Sequence, residues 1–171
     1  MAAEKSNIIL IGMPGAGKST VGVILAKATS KDFVDTDLLV QLAHGTPLQE
    51  IVDNGGHMTL RRIEEEVILG MNRQNSVIAT GGSAVYGNAA MKHLKRTGIS
   101  VFLDVDLKTL QSRIKDFDTR GLAKRPDQDL SDLFEERYPL YARNADITVD
   151  CDGLAQEEVC AAILQKIRVH Y

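Results

Sequence analysis

Cysteine is nearly missing: the chain has two, Cys151 and Cys160, close together near the C-terminus and without metal or dithiol spacing. A disulfide scaffold is therefore excluded, and both read as incidental thiols of a reducing compartment. Positive charge is not in excess either. Twenty lysines and arginines against 23 acidic residues leave a net charge of −3. No basic stripe gathers them, which argues against nucleic acid or a membrane surface as partner. The four histidines, His44, His57, His93 and His170, have no partner four residues away, so no histidine-built metal site is expected. No apolar run approaches the roughly 20 residues that cross a bilayer. The start, Met1-Ala2-Ala3-Glu4-Lys5-Ser6, is short and polar, with no signal region. Cytoplasmic residence is the expectation. Repeats and low-complexity tracts are also lacking, and 171 residues supply one good core but not two ordinary domains. Residues 1–171 are expected to form a single domain, and a monomer.

What is present is concentrated at Gly12-Met13-Pro14-Gly15-Ala16-Gly17-Lys18-Ser19-Thr20, reached from the apolar run Ile8-Ile9-Leu10-Ile11. The stretch fits G-x-x-x-x-G-K-[ST] between a strand pattern and the amphipathic run Val21-Gly22-Val23-Ile24-Leu25, which is the context that such a phosphate loop needs. Glycines at 12, 15 and 17 let backbone N–H groups, including that of Ala16, face an anion, and a helix starting near Lys18 adds the positive end of its dipole. Lys18 then reaches the outer phosphates, the Ser19 hydroxyl binds the bridging magnesium, and Thr20, also part of the nucleotide-binding stretch, faces the helix. The implied ligand is a magnesium nucleoside triphosphate; an ordinary glycine-rich turn is the plain alternative.

Farther along, Asp32 to Asp35 reads as a short strand running into two carboxylates, Asp35 and Asp37, on one side of its carboxyl end. One can hold a metal's water shell while the other orients an attacking hydroxyl. The competing reading is a polar turn whose Asp37 caps the next helix. Residues 38–73 look helical, with breaks at Gly45-Thr46-Pro47 and Asn54-Gly55-Gly56. They carry Arg61 and Glu64 in a charged run that reads locally as a solvated face. Val77-Ile78-Ala79-Thr80 is a buried-type strand, and Gly81-Gly82-Ser83 after it suits either a close backbone approach to a ligand or a plain turn. Helices are expected at 88–96, 107–114, from 130 to a stop or kink at Pro139, and at 154–169; strands are expected at 99–105 and 147–149. Five strands alternating with helices imply an α/β three-layer sandwich: a five-stranded parallel sheet with helices on both faces. The polar, basic stretch 115–129 is a candidate lid that excludes water during transfer.

Taken together, the phosphate loop, Asp35-Thr36-Asp37, the stretch from Gly56 to Glu64, the Gly81-Gly82 turn, Arg113, Arg120 and Arg137-Tyr138-Pro139-Leu140-Tyr141 resemble shikimate kinase across nearly the whole chain. Shikimate kinases belong to the nucleoside-monophosphate-kinase-like group of P-loop NTPases. The resemblance implies an ATP- and Mg2+-dependent phosphotransferase of aromatic amino acid biosynthesis with an anionic small-molecule acceptor. It also implies roles: Asp37 orients the acceptor hydroxyl, Arg61 and Arg137 clamp the acceptor carboxylate, and Gly81, Gly82 and Ser83 line the acceptor side. On the nucleotide side, Lys18 and Arg120 act on the transferring phosphate, Arg113 stacks on adenine, and Asp35 stands behind the magnesium's water shell. Residues 38–73 would form the acceptor-binding segment.

The departures fall on the acceptor side. The family's third glycine is Ser83, its Gly-Glu is Gly56-His57, the phenylalanine beside the first arginine is Leu60, and Arg-Pro-Leu-Leu in the lid is Arg120-Gly121-Leu122-Ala123. The rival enzymes are kinases of gluconate, a hydroxy amino acid or a nucleoside. A nucleotide-binding regulatory module without transfer is the rival outside enzymes. Retained arginines favour an anionic acceptor, and Lys18, Ser19, Asp35 and Asp37 together favour catalysis.

Overall fold

The computed structural model describes residues 5–170; residues 1–4 of the polar lead-in lie outside them. In chain order the elements are β1 (Asn7–Ile11), α1 (Lys18–Thr29), β2 (Asp32–Asp35), α2 (Thr36–His44) and α3 (Leu48–Gly70). Then come β3 (Ser76–Ala79), a 3-10 turn (Ala84–Tyr86), α4 (Asn88–Thr97), β4 (Gly98–Asp104), α5 (Leu107–Arg113), α6 (Leu130–Asn144), β5 (Ile147–Asp150) and α7 (Gln156–His170). The five strands form one sheet in the order β2-β3-β1-β4-β5, and every pairing is parallel.

Sequence pattern explains that order. A parallel strand covered by helices on both faces needs apolar side chains pointing both ways. Every residue of β1 and β3 is buried, and so is all of β4 but Asp104. The edge strand β5 alternates instead, with Ile147 and Val149 inside and Thr148 and Asp150 outside. The main core gathers Ile9, Leu10, Ile11, Leu25, Ile78, Phe102, Leu103 and Leu110. Phe102 stacks on Tyr141, with ring centroids 5.3 Å apart, and so ties α6 to β4. A smaller cluster, Val40, Ile51, Leu60, Ile63 and Ala123, joins α2 and α3 to the stretch at 115–129.

Because all the strands are parallel, their carboxyl ends share one edge, where open α/β sheets place ligands. Gly12, Thr80 and Val105 follow strands on that edge, and Asp35 ends one there. This is the P-loop arrangement that the sequence led us to expect.

Three local expectations are corrected and a fourth is borne out. α6 does not stop at Pro139 but runs through it to Asn144. A capping box between Asp129 and Asp132 secures its start, and one buried face carries Leu130, Leu133, Arg137 and Tyr141; that packing outweighs the backbone bond that proline removes. The break expected near residues 54–56 is present, as a kink at Gly56 (φ 78°) where two helical stretches of Leu48–Gly70 meet. Asp35, not Asp37, caps α2: its carboxylate accepts from the Asp37 and Leu38 N–H groups. Finally, the stretch at 115–129 is not exposed throughout, since Gly121, Ala123 and Gln128 are buried.

Candidate active site

On the nucleotide side, α1 is entered through Gly17, whose backbone is left-handed (φ 93°) and whose lack of a side chain leaves the helix uncapped. First-turn N–H groups without a side-chain cap offer an anion their donors and the helix dipole. Lys18 is buried, and its ammonium donates to the carbonyls of Gly12 (2.7 Å) and Met13 (2.8 Å). Two of its three donors are thereby used, and one remains for a phosphate oxygen. Burial pulls its pKa down to about 8, against the opposing charge of Asp37. The Ser19 hydroxyl donates to Asp35 Oδ2 at 2.6 Å. A hydroxyl and a carboxylate touching each other are hard oxygen donors of the kind magnesium accepts alongside phosphates, so the residues fit that ion. Arg113 donates to the Gly15 carbonyl at 3.2 Å, and Arg120 pairs loosely with Asp116 at 3.5 Å.

A cavity of about 430 Å³ runs from this loop toward α3 and α6, with Lys18, Ser19, Asp37, Glu64, Arg120 and Arg137 in its wall. Thr20, Gly82, Ser83 and Arg113 line it too. Burial first, then the Asp35 carboxylate, push the Asp37 pKa above the ordinary carboxylate range; Lys18, Arg120 and Arg137 pull the other way. Gly81 is outside the lining. Its N–H donates to Thr36 Oγ1 at 2.9 Å, and its carbonyl accepts from Ala84. The contribution of Gly81 is spatial, because a Cβ there would strike Asp37 Oδ1 and Glu64 Oε1 together. The Gly82 carbonyl accepts the buried Tyr141 hydroxyl at 2.6 Å.

Arg137 is only 1% exposed. Its Nη2 donates to the Ala123 carbonyl at 2.9 Å, and Arg61 Nη2 approaches the same oxygen at 3.4 Å. Both guanidinium groups lie over the Tyr86 ring, at 3.5 Å for Arg61 and 5.4 Å for Arg137. Glu136 holds the group in place: it accepts from Tyr86, Arg125 and Gln128 and pairs with Arg61 at 3.6 Å. Two cationic forks that approach one carbonyl oxygen have the chemistry to grip a carboxylate. Arg61 reaches it from a neighbouring cavity of about 350 Å³ that also touches Glu64, Ser83 and Tyr86.

Most of the sites expected from sequence meet around this space: the loop, Asp35 and Asp37, the two arginines and the Gly81-Gly82-Ser83 turn. Gly12 and Ala16 shape the loop without lining the cavity. Glu64 was read as a surface partner of Arg61, yet it is buried and faces Ser83 rather than that arginine. Gln156 and Ala123 also line the cavity, with no sequence signal of their own. For Glu64 the available signal was its position one turn after Arg61.

The comparisons with known proteins agree with this geometry. The family model described as shikimate kinase matches residues 14–168. A shikimate kinase of Thermodesulfovibrio yellowstonii is 37% identical over 163 residues, covering 94% of this chain and 94% of its own. The structure of a shikimate kinase from Acinetobacter baumannii in complex with shikimate superposes with a TM-score of 0.88 at 32% identity, covering 96% of this chain and 93% of that one. A thymidylate kinase from Candida albicans, at 15% identity and a TM-score of 0.60 over 100% of this chain and 96% of its own, shares the fold alone. With its phosphate loop, paired carboxylates and opposed arginines on one sheet edge, the chain belongs to the shikimate kinase family.

Proposed function

We propose that the protein transfers the γ-phosphoryl group of ATP to a hydroxyl of shikimate. The observation that carries the acceptor is the convergence of Arg61 and Arg137 on the Ala123 carbonyl, with Arg137, Ala123 and Asp37 in the wall of the cavity that Lys18 also lines. That carbonyl oxygen stands where an oxygen of the acceptor's carboxylate would sit, so acceptor entry displaces residue 123 and moves the lid. Asp37 then takes the hydroxyl proton as the acceptor oxygen bonds to phosphorus and the bond to the ADP oxygen breaks. Its raised pKa suits a base that must hold a proton briefly. Lys18 and Arg120 neutralise charge on the phosphoryl oxygens, Arg113 packs by the adenine, and Gly82 and Ser83 bound the acceptor. Magnesium would be held by Ser19, with Asp35 behind its water shell, and would supply neutralising charge to the phosphates. Catalysis is positioning and electrostatics in a closed site. The two buried thiols, Cys151 and Cys160, suit the reducing cytoplasm.

A coupled ADP-release assay with magnesium and ATP tests this against shikimate, gluconate, homoserine and a nucleoside at matched concentrations. Saturable turnover with shikimate alone is the expected result. Turnover with another acceptor would keep the kinase and overturn the acceptor; nucleotide binding without turnover on any acceptor would overturn both.

A further inference from the structure

Glu64 and Ser83 form a hydrogen-bonded pair whose bond the reaction above does not use. Both are buried, at 3% and 7% exposure, and the Ser83 hydroxyl donates to Glu64 Oε2. The other oxygen, Oε1, is buried and accepts no hydrogen bond among the described residues. A buried carboxylate oxygen without a donor is destabilising and marks a place where a donor is to be supplied. The direction is given by Gly81: a Cβ there would strike both Glu64 Oε1 and Asp37 Oδ1, so the two carboxylate oxygens crowd the same point beside this glycine. Both line the acceptor end of the 430 Å³ cavity, as does Ser83. A pair of acceptor oxygens side by side matches two neighbouring hydroxyls on one molecule.

We propose that Ser83 is a positioning residue for the acceptor: by occupying Glu64 Oε2 it holds the carboxylate so that Oε1 receives the hydroxyl next to the one Asp37 activates. The inference rests on the shikimate reading. It makes the site selective for an acceptor with two adjacent hydroxyls. It also gives a purpose to a hydroxyl in a turn that otherwise reads as glycine-rich, because a glycine at 83 would leave Glu64 free to rotate between this cavity and the neighbouring one that it also lines.

The test is a cycle of Ser83→Ala, Glu64→Met and the double variant, with Ser83→Gly as a second way of removing the hydroxyl should alanine disturb the turn. Steady-state kinetics are measured with shikimate and with a deoxy analogue lacking the neighbouring hydroxyl. The expected result is a rise of roughly tenfold in acceptor KM for each single variant, with kcat and the KM for ATP nearly unchanged. The double variant should be no worse than Glu64→Met, since Ser83 acts through Glu64. For the deoxy analogue the wild type should already show the high KM, and the variants should leave it there. An unchanged acceptor KM in Ser83→Ala and Ser83→Gly, or fully additive effects in the double variant, would overturn the proposal. A wild type that turns over a different acceptor overturns the functional reading instead, and the same cycle on that acceptor still decides the part played by Ser83.

Discussion

Gly81→Ala puts the geometry of the acceptor site under a direct load. One methyl group is added, and its ideal position lies 2.5 Å from Asp37 Oδ1 and 3.0 Å from Glu64 Cδ, with Glu64 Oε1 closer still. Real Cβ atoms do not approach so near, so something must move. The backbone is poorly placed to yield, because the Gly81 N–H is held by Thr36 Oγ1 and its carbonyl by the Ala84 N–H. Glu64 yields instead, and turning it away breaks its bond with Ser83. Overpacking of this kind costs about 1–3 kcal/mol, and in a chain of this size each kcal/mol lowers Tm by roughly 2–4 °C. A fall of about 5 °C is therefore expected, together with a rise of at least tenfold in acceptor KM, since a displaced carboxylate intrudes on the cavity. The KM for ATP should hardly change, because the phosphate loop leaves a different strand. Gly70→Ala is the control. Nothing lies within 4 Å of a Cβ there, so Tm should hold or rise slightly through lower unfolded-state entropy. Thermal unfolding and steady-state kinetics on the three proteins decide the matter: a Gly81→Ala protein with wild-type Tm and acceptor KM would refute the close approach of the two carboxylates.

Other outcomes follow from the same site. Burial, then the charge of Asp37, push the Glu64 pKa from 4.5 up to about 7, against the Ser83 hydrogen bond and the charges of Arg137 and Lys18. A carboxyl raised on folding favours the folded state at low pH, and that advantage is lost as pH climbs from about 4.5 through about 7. At about 1.4 kcal/mol per unit the loss amounts to about 3 kcal/mol, so Glu64→Gln should gain Tm over the wild type between pH 5 and pH 8. A gap independent of pH would refute this, and calorimetry at the two pH values measures it. Asp37→Asn should lower kcat by roughly 10²–10⁴-fold with the acceptor still bound, as expected for loss of a positioned base; near-normal kcat would remove Asp37 from that role. Lys18→Ala should cut kcat by orders of magnitude in the same ADP-release assay, because the only buried cation of the loop is gone. Arg61→Ala should chiefly raise acceptor KM and spare the KM for ATP. An equal rise in both would argue that Arg61 only holds the lid through Ala123 and Glu136.

What the chain states locally, it states well. The phosphate loop, its flanking strand and helix, and the five-strand alternation could be read without a structure because each depends on neighbours a few residues away: glycines where the backbone must turn, apolar runs where a strand is covered on both faces. The resemblance added the pairing of Arg61 with Arg137, which lie far apart in sequence. Local pattern alone had made Arg61 and Glu64 a surface pair, because a helix face with alternating charges looks the same whether water or protein covers it.

Tertiary packing decided the rest. It sent Arg61 to Tyr86 and Glu136, turned Glu64 inward to Ser83, and let α6 run through Pro139 because a buried face outweighed one missing backbone bond. It also made Asp35 the cap of α2 and freed Asp37 for the cavity. Sequence could name the residues able to bind phosphate and carboxylate, since that ability is intrinsic to their chemistry. Which carboxylate stays buried, which arginine shares which oxygen and where the stretch at 115–129 rests depend on distances between segments far apart in the chain, and only the folded sheet sets those.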